Sequence, residues 1–420
     1  MKQAHAYKED GTLVQLIGKG KSGGEGTFFK IKLTNINGLK GEFGAKIYHN
    51  NCRTQERCDK LKFMINNKPD NRVFEHQQLR ICWPVALLYD NPNGNFIGFV
   101  MYHAFENSRT MEDLAIIVNQ RRFNVQLSQG AKSNDDKLII EKFVRCQQAS
   151  DIKSLLNRLK VLSNIATIFH YLHTTQKYVA VDVKPPNLLI NSKGHVSLVD
   201  IDSIQISENS NLLFPCKVHT PEYAPPEFYI SKNINIPELI SLDLFAIAVM
   251  FYEILIGVHP YMCTPKSGKD FTIPDLVING FFCHGKNKSK LNFAPPHKLF
   301  DYLPSNIQTL FFSAFEDKPE NRPQAIVWRD ELKTVIDDWS SKQPRTPHRS
   351  SNQQSNYPSQ KQQTHPPFRP KKQPHNNAIH QKIGILFKKF KNLYWNDFQH
   401  LLLWIVLGAL LCFVYIYFFR

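Results

Sequence analysis

Residues 179–191 read V-A-V-D-V-K-P-P-N-L-L-I-N. The core is Asp182-Val-Lys184-Pro-Pro-Asn187, and a second acidic node follows in Ser197-Leu-Val-Asp200-Ile-Asp202-Ser203. An acid, a Lys two residues on, an Asn three beyond, an apolar run and a further Asp make the layout of a phosphoryl-transfer site. Asp182 would face the attacking hydroxyl and Lys184 would neutralise charge on the moving group. Asn187 and Asp200 would hold metal ions. The bland alternative is two unrelated Asp-rich turns between strands.

D-x-K-P-x-N followed by apolar-Asp resembles the catalytic loop and metal-binding segment of the eukaryotic-like protein kinase superfamily. The resemblance covers about residues 11–338 and implies an α+β, bilobal protein-kinase-like fold, with a small β-rich N-lobe (about 11–102) and a larger helical C-lobe (about 105–338). It also implies ATP as co-substrate and Mg2+ (or Mn2+) as cofactor.

Upstream, Leu13 to Tyr48 reads as a twisted set of hairpins. It contains Ile17, Gly18, Gly20, Gly23, Gly24, Gly26 and Phe28 in I-G-K-G-K-S-G-G-E-G-T-F-F-K-I. Such glycines let a backbone turn approach a triphosphate and donate N–H groups to it. With Gly26 as the last loop glycine, Phe28 takes the apolar position that roofs the adenine. The competing register, Gly18-x-Gly20-x-x-Gly23, puts Glu25 there. Phe43-Gly44-Ala-Lys46-Ile-Tyr48 then places a Lys on a strand, where its ammonium needs a partner. By resemblance Lys46 pairs the α/β-phosphates and itself pairs with a helical Glu. Helical spacing over 53–64, capped by Thr54, offers Glu56 for that pairing, with Asp59 close behind and Glu75 as a further candidate.

Residues 81–102 predict two strands around the Asn91-Pro-Asn-Gly94 turn. The second ends at a hinge, with Met101 behind the adenine and residues 102–104 lining it; Leu189 lines it from the other lobe. Ile152 to Thr174 has the apolar periodicity of a buried helix. Past Asp200, His219-Thr220-Pro-Glu-Tyr-Ala-Pro-Pro-Glu227 resembles the end of a kinase activation segment. Thr220 matches the hydroxyl that bonds the catalytic Asp and Lys, a feature associated with Ser/Thr specificity. Glu227 should meet Arg322, and Asp243, in the first turn of a buried helix, should cap the catalytic-loop backbone.

Two motifs depart from the family. Ala180-Val181 stand where His-Arg precede the catalytic Asp, which removes the basic pocket for an activation-segment phosphate. Asp200-Ile-Asp202 replaces Asp-Phe-Gly, and a side chain at the Gly position should restrict flipping of the segment. These departures resemble an atypical bacterial Ser/Thr kinase branch whose members accompany 2C-type metal-dependent protein phosphatases, which would make such a phosphatase a partner. An active Ser/Thr protein kinase of unidentified protein substrate is the leading expectation; the alternatives are a nucleotide-binding pseudokinase scaffold at the membrane and a small-molecule kinase. The activation-segment motif and Arg322 argue against the last.

The chain has 420 residues and a net charge of +16. Residues 341–400 hold eleven Lys and Arg against one Asp, so the basic excess sits in a tail and argues against a nucleic-acid-binding core. The eight Cys form no C-x-x-C pair, as expected of reduced thiols rather than a zinc site or disulfide frame. Residues 340–381 predict a disordered polar linker, and 382–400 a basic juxtamembrane segment. Leu401 to Phe419 is nineteen residues without a charge. At ~1.5 Å per residue it spans ~28 Å, enough to cross a bilayer core. Lys388, Lys389 and Lys391 on its N-terminal side place the catalytic part in the cytoplasm. The sequence therefore predicts a single-pass, C-terminally anchored membrane protein.

Overall fold

The computed structural model describes residues 5–341, apart from 34, 37, 71, 73–75, 119, 147–151, 210, 217 and 231–235. The predicted linker beyond Ser341, the juxtamembrane segment and the 401–419 span lie outside the described residues, as does Glu75. Among the described residues no helix is long and apolar enough to cross a membrane.

The N-terminal lobe is a closed barrel. Its strands are β1 (His5–Tyr7), β2 (Leu13–Ser22), β3 (Gly26–Ile31) and β4 (Phe43–Tyr48), then, after helix α1 (Gln55–Asn66) and strand β5 (Leu79–Ile81), β6 (Pro84–Tyr89) and β7 (Phe96–Tyr102). The barrel order is β1-β2-β3-β4-β7-β6. Alternation places Val14, Leu16, Phe43, Ala45, Val85 and Val100 in one buried cluster, as period-2 strands with one apolar face require. Strand β1 closes the barrel by pairing Ala6 with Val14 and Tyr7 with Tyr89, so the lobe begins before the predicted residue 11. Glycine is required where backbones crowd: a Cβ at Gly26 would lie 2.5 Å from the Ile47 carbonyl oxygen on β4.

The stretch from Ile81 to Asp90, expected as a single strand, is divided. Strand β5 leaves the barrel and pairs parallel with β11 of the other lobe, Ile81 opposite Leu198. Cys82 and Trp83 make the crossing: the Cys82 N–H donates to Leu198 O at 2.9 Å and the Trp83 N–H to Ile81 O at 2.7 Å. Pro84 then restarts pairing in the barrel, where its missing N–H is tolerated at a strand's first residue.

In the C-terminal lobe, β8 (Arg109–Thr110), β10 (Leu188–Ile190), β11 (Val196–Leu198) and β5 form one sheet in the order β8-β10-β11-β5. Strand β9 (Tyr178–Val179) pairs with β12 (Gln205–Glu208), which continues into β13 (Asn211–Phe214). Helix α2 (Ile152–His173) packs along α5 (Ala325–Ser341). Helix α3 (Ile236–Ile256) is apolar on nearly every face from Leu242 to Ile256 and is buried accordingly, with Phe245, Ile247, Val249 and Phe251 fully enclosed. Because α3 starts at Ile236, Asp243 lies two turns inside it rather than in its first turn. Helix α4 (Ser305–Glu316) completes the layer around it.

Candidate active site

The loop after β9 is held from beneath by Asp243. This fully buried carboxylate accepts the N–H groups of Ala180 (2.7 Å) and Val181 (2.8 Å) and the Nε2–H of His173 (2.9 Å). Val181 is a β-branched residue at φ +61°. That left-handed conformation costs on the order of 1–3 kcal/mol, and the Asp243 bonds oppose it. The result turns Asp182 toward the cleft.

Around Asp182 three groups close a compact set. The Thr220 hydroxyl donates to Asp182 Oδ1 at 2.6 Å, and Lys184 Nζ lies 2.7 Å from Asp182 Oδ2. Lys184 Nζ also donates to Thr220 Oγ1 at 2.9 Å. Asn187 Nδ2 donates to Asp182 O at 2.9 Å, which leaves its Oδ1 as an acceptor. Strands β10 and β11 pair Leu188 with Leu198, so Asn187 just before β10 and Asp200 just after β11 emerge at the same end of one hairpin. Asp200 sits at φ +57° with its side chain 49% exposed. An Asn oxygen and a carboxylate are hard oxygen donors that suit Mg2+, which keeps several waters and leans on substrate phosphates. Among the described residues no cluster of three or more His, Cys, Asp or Glu offers an all-protein metal cage, and the Asn187–Asp200 pair needs none.

Across the cleft, Lys46 on β4 meets acids other than the expected one. Its Nζ donates to Asp202 Oδ1 (2.9 Å) and Oδ2 (2.8 Å) and to Asp200 Oδ1 (3.0 Å), with Glu25 Oε2 at 3.7 Å. Burial alone would lower the Lys46 ammonium, but the charges of Asp202 and Asp200 reverse this and hold it above its ordinary value. Asp202 is buried and accepts the Tyr48 hydroxyl at 2.6 Å. Burial would raise its carboxyl, yet the charge and hydrogen bonds of Lys46 and the Tyr48 donor keep it below the usual range.

Glu56 is not the partner of Lys46. It is exposed on the first turn of α1. The inward face carries Arg57, buried Lys60, Leu61 and Met64. Arg57 instead clamps Glu25 in the glycine turn, Nη1 to Oε2 at 3.0 Å and Nη2 to Oε1 at 2.5 Å. Asp59 is also exposed and accepts from Gln55 Nε2 at 2.8 Å. A sequence signal for this was present. Counting back from Leu61 and Met64 at i−4 and i−7 puts 57 and 60 on the buried face and 56 and 59 off it.

The glycine-rich stretch forms the β2–β3 hairpin, with Ile17, Gly18 and Gly20 on β2, Gly23 and Gly24 in the turn and Gly26 opening β3. Phe28 pairs with Lys46 across β3–β4. Its ring lies over Gly44: a Cβ there would sit 2.2 Å from Phe28 Cζ. It also meets His103 just past β7, with ring centroids 5.4 Å apart. Glu25 of the competing register takes part in the Lys46–Arg57 network instead. Met101 pairs with Gly44 at the end of β7, and Leu189 lies on β10 in the other lobe.

Beyond Thr220, Glu227 meets Arg322. The Arg322 Nη2 donates to Glu227 Oε2 at 2.9 Å and its Nη1 to Oε1. Arg322 also donates from Nε to Ala314 O at 3.2 Å and from Nη1 to Ser241 O at 3.2 Å.

The chain is similar to known protein kinases. The chain is 28% identical over 305 residues to a probable serine/threonine-protein kinase of Dictyostelium discoideum, covering 57% of this chain and 64% of that protein. It is 29% identical over 237 residues to the Citron rho-interacting kinase of Rattus norvegicus, covering 51% and 11%. It is 34% identical over 118 residues to the cAMP-dependent protein kinase catalytic subunit 3 of Drosophila melanogaster, covering 28% and 18%. The chain thus spans less than two thirds of the length of each. Among solved structures, the ROP18 kinase domain in complex with AMP-PNP and sucrose matches at TM-score 0.49 and 14% identity, covering 81% of this chain and 86% of that one. The protein kinase domain family profile matches residues 120–331, and the chain belongs to the protein kinase domain family.

Proposed function

We propose that the protein is an ATP-dependent serine/threonine kinase that transfers the γ-phosphoryl of ATP to a protein hydroxyl. The observation that carries this is the closed set Asp182–Lys184–Thr220, with every contact between 2.6 and 2.9 Å. Asp182 orients the incoming hydroxyl and takes its proton; Lys184 stabilises charge on the moving group. Thr220 fixes both. Asn187 and Asp200 would hold Mg2+ (or Mn2+), which when bound neutralises phosphate charge. Lys46 would pair the α/β-phosphates, and Phe28, Met101 and Leu189 would enclose the base. The Glu227–Arg322 pair anchors the segment on which a protein substrate would rest, and that favours a protein over a small molecule.

The finer reading is a kinase tethered to a membrane by residues 401–419, with its catalytic part cytoplasmic and acting in bacterial signalling beside a 2C-type phosphatase. It is supported by the uncharged span, the lysines before it and the altered Ala180-Val181 and Asp200-Ile-Asp202 motifs. One observation favours a nucleotide-binding scaffold instead: Lys46 is fully engaged by Asp202 and Asp200. Transfer of labelled γ-phosphate by the full chain, with Mg2+ or Mn2+ and beside Asp200→Ala, separates the two. Incorporation lost in Asp200→Ala supports the kinase; ATP binding without incorporation supports the scaffold.

A further inference from the structure

Lys46 needs a fixed negative partner if it is to stay ordered in an apolar strand. Helix α1 offers none. Its buried face presents Arg57 and Lys60, both cationic, and its acids Glu56 and Asp59 are exposed. Asp202 stands in the way of the same space from the other lobe. Both of its oxygens accept from Lys46, and Oδ2 also accepts the Tyr48 hydroxyl.

Tyr48 is itself fixed. It lies two residues from Lys46 on β4, hence on the same face. Its ring packs against Phe96 (5.9 Å) and Phe99 (5.8 Å), and Arg57 stands 5.0 Å over it. Arg57 returns to Glu25, which faces Lys46 again. Lys46, Asp202, Tyr48, Arg57 and Glu25 thus form a closed ring of two cations and two carboxylates, with the neutral Tyr48 phenol between Asp202 and Arg57. Asp200 is outside that ring and half exposed, free to exchange Lys46 for another ligand. Asp202 is not, because its burial is tolerable only while Lys46 and Tyr48 satisfy it.

We propose that Asp202 is the positioning residue for Lys46, replacing a carboxylate from helix α1, and that Tyr48 holds Asp202 in place. This rests on the kinase reading for its catalytic consequence but not for the pairing itself. Two corollaries follow. Helix α1 gives Lys46 no paired carboxylate; it is tied to the glycine turn through Arg57 and to the β5–β6 crossing through Trp83 Nε1, which donates to Met64 O at 2.9 Å. The acid that orders Lys46 sits two residues from Asp200, so ordering of that segment and of Lys46 is a single event.

The test uses the full chain and two readouts. The first is amine labelling of Lys46 at fixed pH, followed by mass spectrometry, which does not require activity. Asp202→Asn keeps the side-chain shape but not the charge. It should raise the Lys46 labelling rate about tenfold or more, while Glu56→Gln leaves it within about twofold. The second is kcat/KM for ATP. Asp202→Ala should lose about 30-fold or more, and Glu56→Gln should lose nothing. Lys60→Glu in the Asp202→Ala background, which moves the carboxylate onto α1, should recover at least about a third of that loss in kcat/KM. Unchanged Lys46 labelling in Asp202→Asn overturns the proposal, as does a large effect of Glu56→Gln. A labelling change in a protein that transfers no phosphate leaves the pairing standing and refutes the kinase reading instead.

Discussion

Replacing Arg322 by Ala should destabilise the C-terminal lobe more than any exposed charge change. The Arg322 side chain is 4% exposed and Glu227 16%. The guanidinium makes a bidentate contact with Glu227, holds the Ala314 and Ser241 carbonyls and lies over the Phe245 ring at 5.1 Å. Its loss leaves a largely buried carboxylate unpaired and two carbonyls without that donor, which costs about 3–5 kcal/mol. For a unit of ~340 residues the unfolding entropy near Tm is about 0.7 kcal/mol/K, so Tm should fall by about 4–7 °C. Differential scanning calorimetry of the full chain measures this. Glu227→Gln should cost less, because the amide still accepts one bond. The paired change Arg322→Met with Glu227→Leu should recover more than half of the loss, since an apolar pair of similar volume avoids the desolvation penalty. A Tm drop below about 1 °C for Arg322→Ala would refute the claim that this pair anchors the segment after Thr220.

Other expectations follow from the same contacts. Gly44→Ala places a methyl within 2.2 Å of Phe28 Cζ; the overpacking should cost about 1–3 kcal/mol and weaken nucleotide binding. Phe28→Leu in the same chain should relieve both effects, and calorimetry with a nucleotide titration reads them. His259, His284 and His297 are buried, and burial pushes them down from the ordinary 6.5 to about 4, about 3 and about 4. A depressed folded-state value means the unfolded chain binds more protons, so stability held above pH 6.5 is lost as pH falls toward 4. A Tm series from pH 7.5 to 4.5 should show that fall, with a smaller slope in His284→Phe. Because Val181 supplies no cation beside Asp182, phosphatase treatment of the purified chain should change transfer activity by less than about twofold.

Much of the site could be read from the sequence because its parts are short and local. Asp182, Lys184 and Asn187 lie within six residues, and the β10–β11 hairpin that brings Asp200 to them is legible from two apolar runs around a turn. The Glu227–Arg322 contact, 95 residues apart in sequence, was expected only through family resemblance; no local pattern states it. For the Lys46 partner, residue type on α1 points to Glu56, whereas helical phase points away from it. The apolar positions Leu61 and Met64 already put Arg57 and Lys60 inward. The role of Asp202 depends on how the two lobes face one another, and that is absent from any local window. The division of Ile81–Asp90 between two sheets was hidden for the same reason: its residues are apolar throughout and suit either sheet. Only Pro84 marked the break. The three residues of strand β1, His5 to Tyr7, carry too little periodicity to mark it in the sequence.

In the proposed transfer from ATP, Asp182 takes the hydroxyl proton. The most direct measurement is single-turnover γ-phosphate transfer by Asp182→Asn in the full chain, with nucleotide affinity measured in parallel. The transfer rate should drop at least about 100-fold while nucleotide affinity stays within about twofold, as expected when a group that acts on the reacting hydroxyl is removed. Transfer at the wild-type rate by Asp182→Asn would rule out that role for Asp182.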